Sequence, residues 1–338
     1  MAASPLGLHR ILGDPGLIAS LPGYEVVGLA GVVGSRDASR TYRARRASVP
    51  GAAVSFGYRW RFRDAWDRVW WPQGIAVGTS DETPLALVSW YAQPRRDVPG
   101  GVRISIVDLS DPARAVYRHV RLVSPRHVDH GVALDPVLAH AGGIAWSGDR
   151  LLVAATFDGI REFRLSEIRH ADRATRDAPE YVLPQFAYHA PLDRSADDRL
   201  RYSFLTIDTE EPQQTGTDSG HLQLVVGEYS TGFDGRVARL ELTDDRSHVT
   251  ETHVPGIRHM QGAATAGDTW FVSSSQGERP GDLWVGRIGA MSVQAGELPP
   301  GPEALARWPA RRQLWSVSEI PGKRWIFAMD TVRLAGAH

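Results

Sequence analysis

Short apolar or alternating runs, cut by glycine and aspartate, recur along most of this chain. The stretch 140–165 shows the unit. A small-residue run, His140-Ala141-Gly142-Gly143, leads into Ile144-Ala145-Trp146 and a turn at Ser147-Gly148-Asp149. The chain then extends as Leu151-Leu152-Val153-Ala154-Ala155, turns at Asp158-Gly159 and alternates from Ile160 to Leu165. Apolar runs of this length bounded by turn formers predict antiparallel strands joined by tight turns.

The same unit returns. Opening strands align at 71–77 (WPQGIAV), 140–146 (HAGGIAW), 201–207 (RYSFLTI), 259–265 (HMQGAAT) and 301–307 (GPEALAR). Second strands follow at 85–90, 151–156, 222–229, 269–274 and 313–318, and third strands at 103–109, 160–165, 237–242, 283–288 and 324–329. More polar fourth strands follow at 117–123, 181–188, 248–254 and 292–298. Small residues inside and polar ones outside predict an all-β, five-bladed β-propeller. The last unit stops at its third strand, so the alternating run 54–62 is expected to supply the missing outer strand and close the ring. A six-bladed ring using more than one strand from residues 1–65 is the structural alternative. Residues 1–50, Gly-, Pro- and Arg-rich without a clear period, read as an irregular arm on a single propeller domain, 51–338. Long loops are expected at 127–136 and 210–220.

Composition narrows the chemistry. A net charge of −1 over 338 residues offers no basic field for nucleic acid or anionic membrane. The absence of cysteine removes disulfides, thiolate metal sites and a cysteine nucleophile. Lys323 is the only lysine, which removes Schiff-base chemistry almost everywhere. Asp14, Pro15 and Pro22 interrupt the N-terminal apolar residues, so neither a signal peptide nor a membrane span is expected. The chain reads as cytoplasmic, or as secreted if a leader has been removed. Its oligomeric state is not legible.

The motifs WPQGIAV, LVSWY, HAGGIAW, LVVGEYS, MQGA, GPEAL and LWSVSEIPGKRW resemble a family of bacterial, largely actinobacterial and mostly secreted β-propeller-like proteins of unassigned function. The resemblance covers about residues 70–330. It implies the fold and brings no activity with it. The missing export signal departs from the family and suggests an intracellular, biosynthetic member.

In a propeller, first strands start and second strands end at the same mouth of the axis. That convergence predicts a substrate funnel for a small organic metabolite. From the first strands come Gln73, His140, Ser203, Gln261 and Glu303, with His259 beside them. From the second come Trp90, Tyr91, Phe157, Asp158, Glu228, Tyr229, Ser275 and Glu319. The leading expectation is a cofactor-independent acid–base enzyme: a lyase, cyclase, isomerase or hydrolase. His140 is its general acid or base and Glu228 its orienting partner, with His259 and Glu303 as further proton carriers. Gln73 and Gln261 would position polar groups, and Trp90, Tyr91 and Tyr229 would stack on the substrate. Glycoside hydrolysis by paired carboxylates is an alternative, as is a lectin-like or scaffold propeller that binds without turnover. An axial Ca²⁺ or Mg²⁺, or a transition metal at His127, Asp129 and His130, is weighed below these. No Gly-x-Ser-x-Gly elbow, phosphate loop or dinucleotide fingerprint occurs.

Overall fold

Strands buried on both faces read as near-continuous apolar runs, and the second strand LALVSW of the first unit shows the geometry that results. Leu85 and Leu87 point into one seam between meanders, whereas Ala86, Val88 and Trp90 point into the next. The computed structural model describes residues 7–35, 42–94, 100–171, 179–192, 199–208 and 221–335.

Ahead of the meanders come β1 (Leu8–Leu12), α1 (Pro15–Ala19), β2 (Tyr24–Val26), α2 (Gly28–Gly34) and β3 (Tyr42–Ala47). They are followed by β4 (Val54–Arg59) and α3 (Phe62–Trp66). The first meander is β5 (Trp70–Ser80), β6 (Thr83–Ala92), β7 (Gly101–Asp108) and β8 (Arg114–Val128), with β9 (Gly131–Pro136) hairpinned onto β8. Next come β10 (Ile144–Ser147), β11 (Arg150–Ala154) and β12 (Ile160–Arg164). After β13 (Arg169–Ala171), β14 (Tyr181–Pro191) completes that sheet. The third meander is β15 (Phe204–Ile207), β16 (His221–Gly227), β17 (Val237–Thr243) and β18 (Arg246–His253). The fourth is β19 (Met260–Ala266), β20 (Thr269–Gln276), β21 (Arg279–Arg287) and β22 (Ala290–Pro300). β23 (Pro302–Trp308), β24 (Gln313–Ser318) and β25 (Trp325–Asp330) form the last, before the short α4 (Thr331–Ala335). As expected, β4 pairs antiparallel with β25 as the outer strand of that unit.

The opening strands β5, β10, β15, β19 and β23 each touch the next, and β23 returns to β5. The chain is an all-β propeller. Glycine lets the inner strands approach this closely: a Cβ on Gly143 would fall onto the backbone nitrogen of Leu205, and one on Gly262 would lie 2.5 Å from Leu305 N. Hydrophobic side chains fill each seam between neighbouring meanders. No helix among the described residues is long and apolar enough to cross a membrane.

The N-terminal arm differs from the irregular segment expected. β1 pairs with β14 and reaches the start of β18, β2 pairs with β13, and β3 pairs with both β4 and β8. The arm thus stitches outer edges of the ring, and none of its strands is an inner strand. Its strands are too short to impose a visible period, and α2, with three glycines in seven residues, is held by packing Leu29 and Val32 against a seam. Residues 127–136, expected as a loop, continue β8 and turn back as β9. The other expected loop, 210–220, lies outside the described residues.

Arg10 of β1 enters the core. Its Nη2 donates to Glu162 Oε1 at 2.9 Å, and Arg150 Nε lies 3.2 Å from the same oxygen. His189 Nε2 lies 2.7 Å from Glu162 Oε2, with both side chains fully buried. Burial alone would raise the Glu162 pKa, but His189 and the two guanidiniums hold it down at about 2.

Candidate functional site

Bulges shape the mouth at which the opening strands begin. The register slips between Pro72 and Ile75 in β5, between Met260 and Gly262 in β19, and between Pro302 and Leu305 in β23. Gln73 with Gly74, Gln261, and Glu303 with Ala304 lie inside those slips. An extra residue in a strand bends it and re-aims a side chain, a device common beside binding sites. Ser275 lies in a fourth slip, between Ser274 and Gln276.

Two carboxyl side chains, those of Glu303 and Glu319, belong to this mouth. Buried Gln73 donates from Nε2 to Pro72 O at 3.0 Å and to Glu319 Oε2 at 2.8 Å. Glu303 is 1% exposed, and its Oε1 has no hydrogen-bond partner. Burial and then the nearby Glu319 charge push its pKa well above the usual carboxylate range. Glu319 is also raised by burial, with Gln73 and Arg324 opposing the shift. Half-buried Tyr91 is raised by burial, then by the charges of Glu319 and Glu303. His140 lies edge-on to the Tyr91 ring, with centroids 4.4 Å apart. Its side chain reaches solvent, yet surrounding protein desolvates it enough to lower its pKa.

The rest of the predicted rim lies farther around the same end. Phe157 is exposed, with the Arg199 guanidinium 5.4 Å from its ring, and exposed Asp158 lies in the turn where its N–H donates to Ala155 O. Ser203 N donates to Gly227 O at 2.9 Å, tying β15 to β16. Tyr229 stacks on His259 at 5.9 Å and 22°. His259 has φ 54, its N–H donates to Ser230 O, and its carbonyl accepts Ser275 N. A positive φ on a residue other than glycine is costly and is retained where the surroundings fix it. Ala141 and Thr156, at the same end, share this conformation.

Two expected site residues have other work. Glu228 Oε1 accepts Arg201 N at 2.8 Å and Arg236 Nη2 at 2.9 Å, while its Oε2 accepts Arg236 Nε at 2.9 Å. Burial would raise this carboxyl, and the Arg236 fork holds it below the usual value. Both oxygens are engaged in a clamp between neighbouring loops instead of orienting His140. Trp90 is wholly buried, donating from Nε1 to Ser105 Oγ at 2.8 Å and covered by the Arg103 guanidinium at 4.7 Å. It packs a seam and offers no face to a ligand. Trp90→Phe should therefore cost about 1–3 kcal/mol of stability through the lost volume and N–H bond. Urea unfolding measures this; unchanged stability with weakened ligand binding would return Trp90 to the site.

A serine–histidine–aspartate chain also appears where no motif announced it. His119 Nδ1 lies 2.9 Å from Ser105 Oγ, and its Nε2 lies 3.3 Å from Asp64 Oδ1. Ser105 is sealed from solvent and already receives the Trp90 N–H, and burial lowers His119 to about 4. With Arg103 and Tyr117 also on Asp64, the chain fastens α3 to the ring. The His127, Asp129, His130 group lies on the exposed β8–β9 tip, with His127 Nε2 3.6 Å from Asp14 Oδ2.

The opposite mouth holds a cavity of about 80 Å³ that sequence reasoning missed. Gly78, Trp146, Thr206, Arg307 and Trp308 are among its lining residues. Trp146, which closes the repeat wording HAGGIAW, and Trp308, one residue beyond GPEALAR, were its visible signal.

No protein-family model and no curated protein sequence matches the chain. Among solved structures, it is similar to a glycoside hydrolase family 130 protein described with enzymes that target β-1,2 mannosidic linkages in Candida mannan. That match has 9% identity and a TM-score of 0.40, covering 85% of this chain and 93% of that one. The Cps50 (Swd1) β-propeller domain of Myceliophteria thermophila matches at 12% identity and a TM-score of 0.35, covering 77% and 96%. A family 43 glycoside hydrolase from Xanthomonas citri matches at 10% and 0.35, covering 79% and 88%. Superpositions at this level carry no chemistry from one protein to another.

Proposed function

We propose that the chain is a five-bladed propeller whose Glu303 mouth is a cofactor-independent acid–base site for a small organic metabolite. The closed cycle of inner strands from β5 to β23 supports the blade count. The observation that carries the function is Glu303: a buried carboxyl with an unpartnered oxygen, facing a second carboxyl instead of a cation. A buried charge without a partner is costly, so burial, with the Glu319 charge nearby, favours the protonated form of Glu303. Such a pair holds a donor and an acceptor at once. Glu303, kept protonated, gives its proton to a leaving group or carbonyl oxygen. His140, held neutral by desolvation, takes one from carbon or water. Gln73 fixes Glu319 through its amide. The proton chemistry uses side chains alone.

Two measurements test this. Infrared spectra at about pH 7 should contain a neutral-carboxyl C=O stretch that disappears in Glu303→Gln. In a metabolite screen, the Glu303→Gln and His140→Ala variants should lose about 10²- to 10⁴-fold of any turnover found, the usual share of general acid–base catalysis. A carboxyl spectrum identical in wild type and Glu303→Gln would end the proposal.

Stability gives a separate check. The folded-state pKa of Glu303 is raised, so its contribution is intact below the unfolded value near about 4.3 and is lost as pH rises through the folded value. Glu303→Gln should therefore equal wild type at about pH 4 and exceed it by about 1–3 kcal/mol once Glu303 would ionise. Urea unfolding at both ends of that window checks the sign.

Glycoside hydrolysis is the second reading: protonated Glu303 would protonate the leaving oxygen, with a second carboxyl across the scissile bond as base or nucleophile. Release of reducing sugar from an oligosaccharide panel separates that reading from lyase or isomerase chemistry.

A further inference from the structure

Ser89 in β6 and Ser273 in β20 are fully buried hydroxyls in equivalent places. Each follows the residue that faces the third position of a Gln-Gly-apolar run, Val88 opposite Ile75 and Val272 opposite Ala263. Gly74 N, next to Gln73, donates to Ser89 Oγ at 2.8 Å, and Ser89 Oγ donates to Ala141 O, next to His140, at 2.7 Å. Ser273 Oγ donates to Glu303 O at 2.8 Å. Ser273 Oγ to Gly262 O and Ser316 Oγ to Glu303 O are longer, both 3.4 Å, so the 2.8 Å bond is the firm one. Each serine thus reaches from its own meander to the start of the next. In β11, β16 and β24 the same place holds Ala154, Gly227 and Val317, none with a hydroxyl. A bond needed only to close the ring would be needed at every junction. These hydroxyls stand at the two junctions that lead to His140 and Glu303.

We infer that Ser89 and Ser273 are positioning residues of this mouth: Ser89 sets the aim of His140 and Gln73 by holding the backbone beside each, and Ser273 sets the aim of Glu303 by holding its carbonyl. The inference rests on the acid–base reading only for the roles of those three side chains. A buried backbone group is costly to leave unpaired, so a hydroxyl bonded to it fixes the chain at that point. Ala141 shows the effect. It is fully buried at φ 55, a conformation costly for alanine, and Ser89 holds its carbonyl. Gly74 is what lets Ser89 come so near, since a Cβ there would lie 2.6 Å from Ser89 Oγ. His140 and Glu303 therefore take their direction from hydroxyls that touch neither side chain.

The experiment is an NMR titration of the full chain, labelled with carbon-13 in histidine rings and glutamate carboxyls. His140, desolvated where it stands, titrates below the ordinary histidine value. In Ser89→Ala the loosened strand lets the ring turn to water, so its midpoint should rise towards about 6.5. Glu303 titrates well above the carboxylate range and should drop towards about 4.3 in Ser273→Ala. Ser89→Thr and Ser273→Thr keep the hydroxyl and should keep the wild-type midpoints. Ser89→Cys and Ser273→Cys, similar in shape with only a weak donor, put the same question if an alanine variant does not fold. Ser247→Ala is the control: its buried hydroxyl accepts Leu8 N at 3.0 Å on the outer strand β18, and its loss should move neither group. Unchanged midpoints in the Ser89 and Ser273 variants, with stability falling as in Ser247→Ala, would make both serines fasteners of the ring and overturn the inference. An ordinary carboxylate midpoint for Glu303 in the wild type would instead sink the acid–base reading, and His140 in Ser89→Ala would still decide the positioning.

Discussion

Glu162→Ala is expected to destabilise the fold by about 3–5 kcal/mol, the range for removing one partner of a buried ion pair. The loss comes from what remains: Arg150 and His189, fully buried, and Arg10, mostly buried, would share a pocket without their carboxylate. Because Arg10 belongs to β1, the arm should loosen first, which limited proteolysis near residue 13 would detect. The pH dependence has a definite sign. The folded carboxyl titrates at about 2, below the unfolded value of about 4.3, so its contribution is present above pH 4.3 and fades as pH falls towards 2. The gap between wild type and variant should narrow over that window. A variant within about 1 kcal/mol of wild type at neutral pH would show that the network is dispensable.

Gly143→Val should fare worse, losing more than about 4 kcal/mol or failing to fold. Ordinary overpacking costs about 1–3 kcal/mol because neighbouring side chains shift. Here the obstacle is backbone: a Cβ would land on Leu205 N and 2.7 Å from Leu205 O, in the next inner strand. Gly143 O also accepts Ala154 N at 3.0 Å, so the strand is held from its other side. Gly34→Ala is the control, since nothing lies within 4 Å of its added Cβ. It should be neutral or slightly stabilising. Circular dichroism and urea unfolding of the two variants compare them directly; a well-folded Gly143→Val would mean that the inner strands stand farther apart.

The repeat was legible because each unit combines a small-residue strand with a second strand that is apolar on both faces. The arm was not, since β1 and β2 offer only five and three residues to a pattern. Trp90 was misread although the signal existed: a period of two places it with Ala86 and Val88, in the seam. For Glu228 there was no signal, because nothing in the sequence marks Arg236 as its partner. Glu303, Gln73 and Gln261 were singled out by position in the repeat, but the register slips that hold them depend on inter-strand pairing, which one strand's sequence does not contain.

The pairing of β4 with β25 also bears on how the molecule is made. On the ribosome, Val54–Arg59 emerges long before Trp325–Asp330, so the ring has to wait for the far end of its chain. Contacts so distant in sequence fold slowly, and unpaired strand edges are exposed meanwhile. Nascent chains that stall before residue 325 should therefore be prime clients for chaperones.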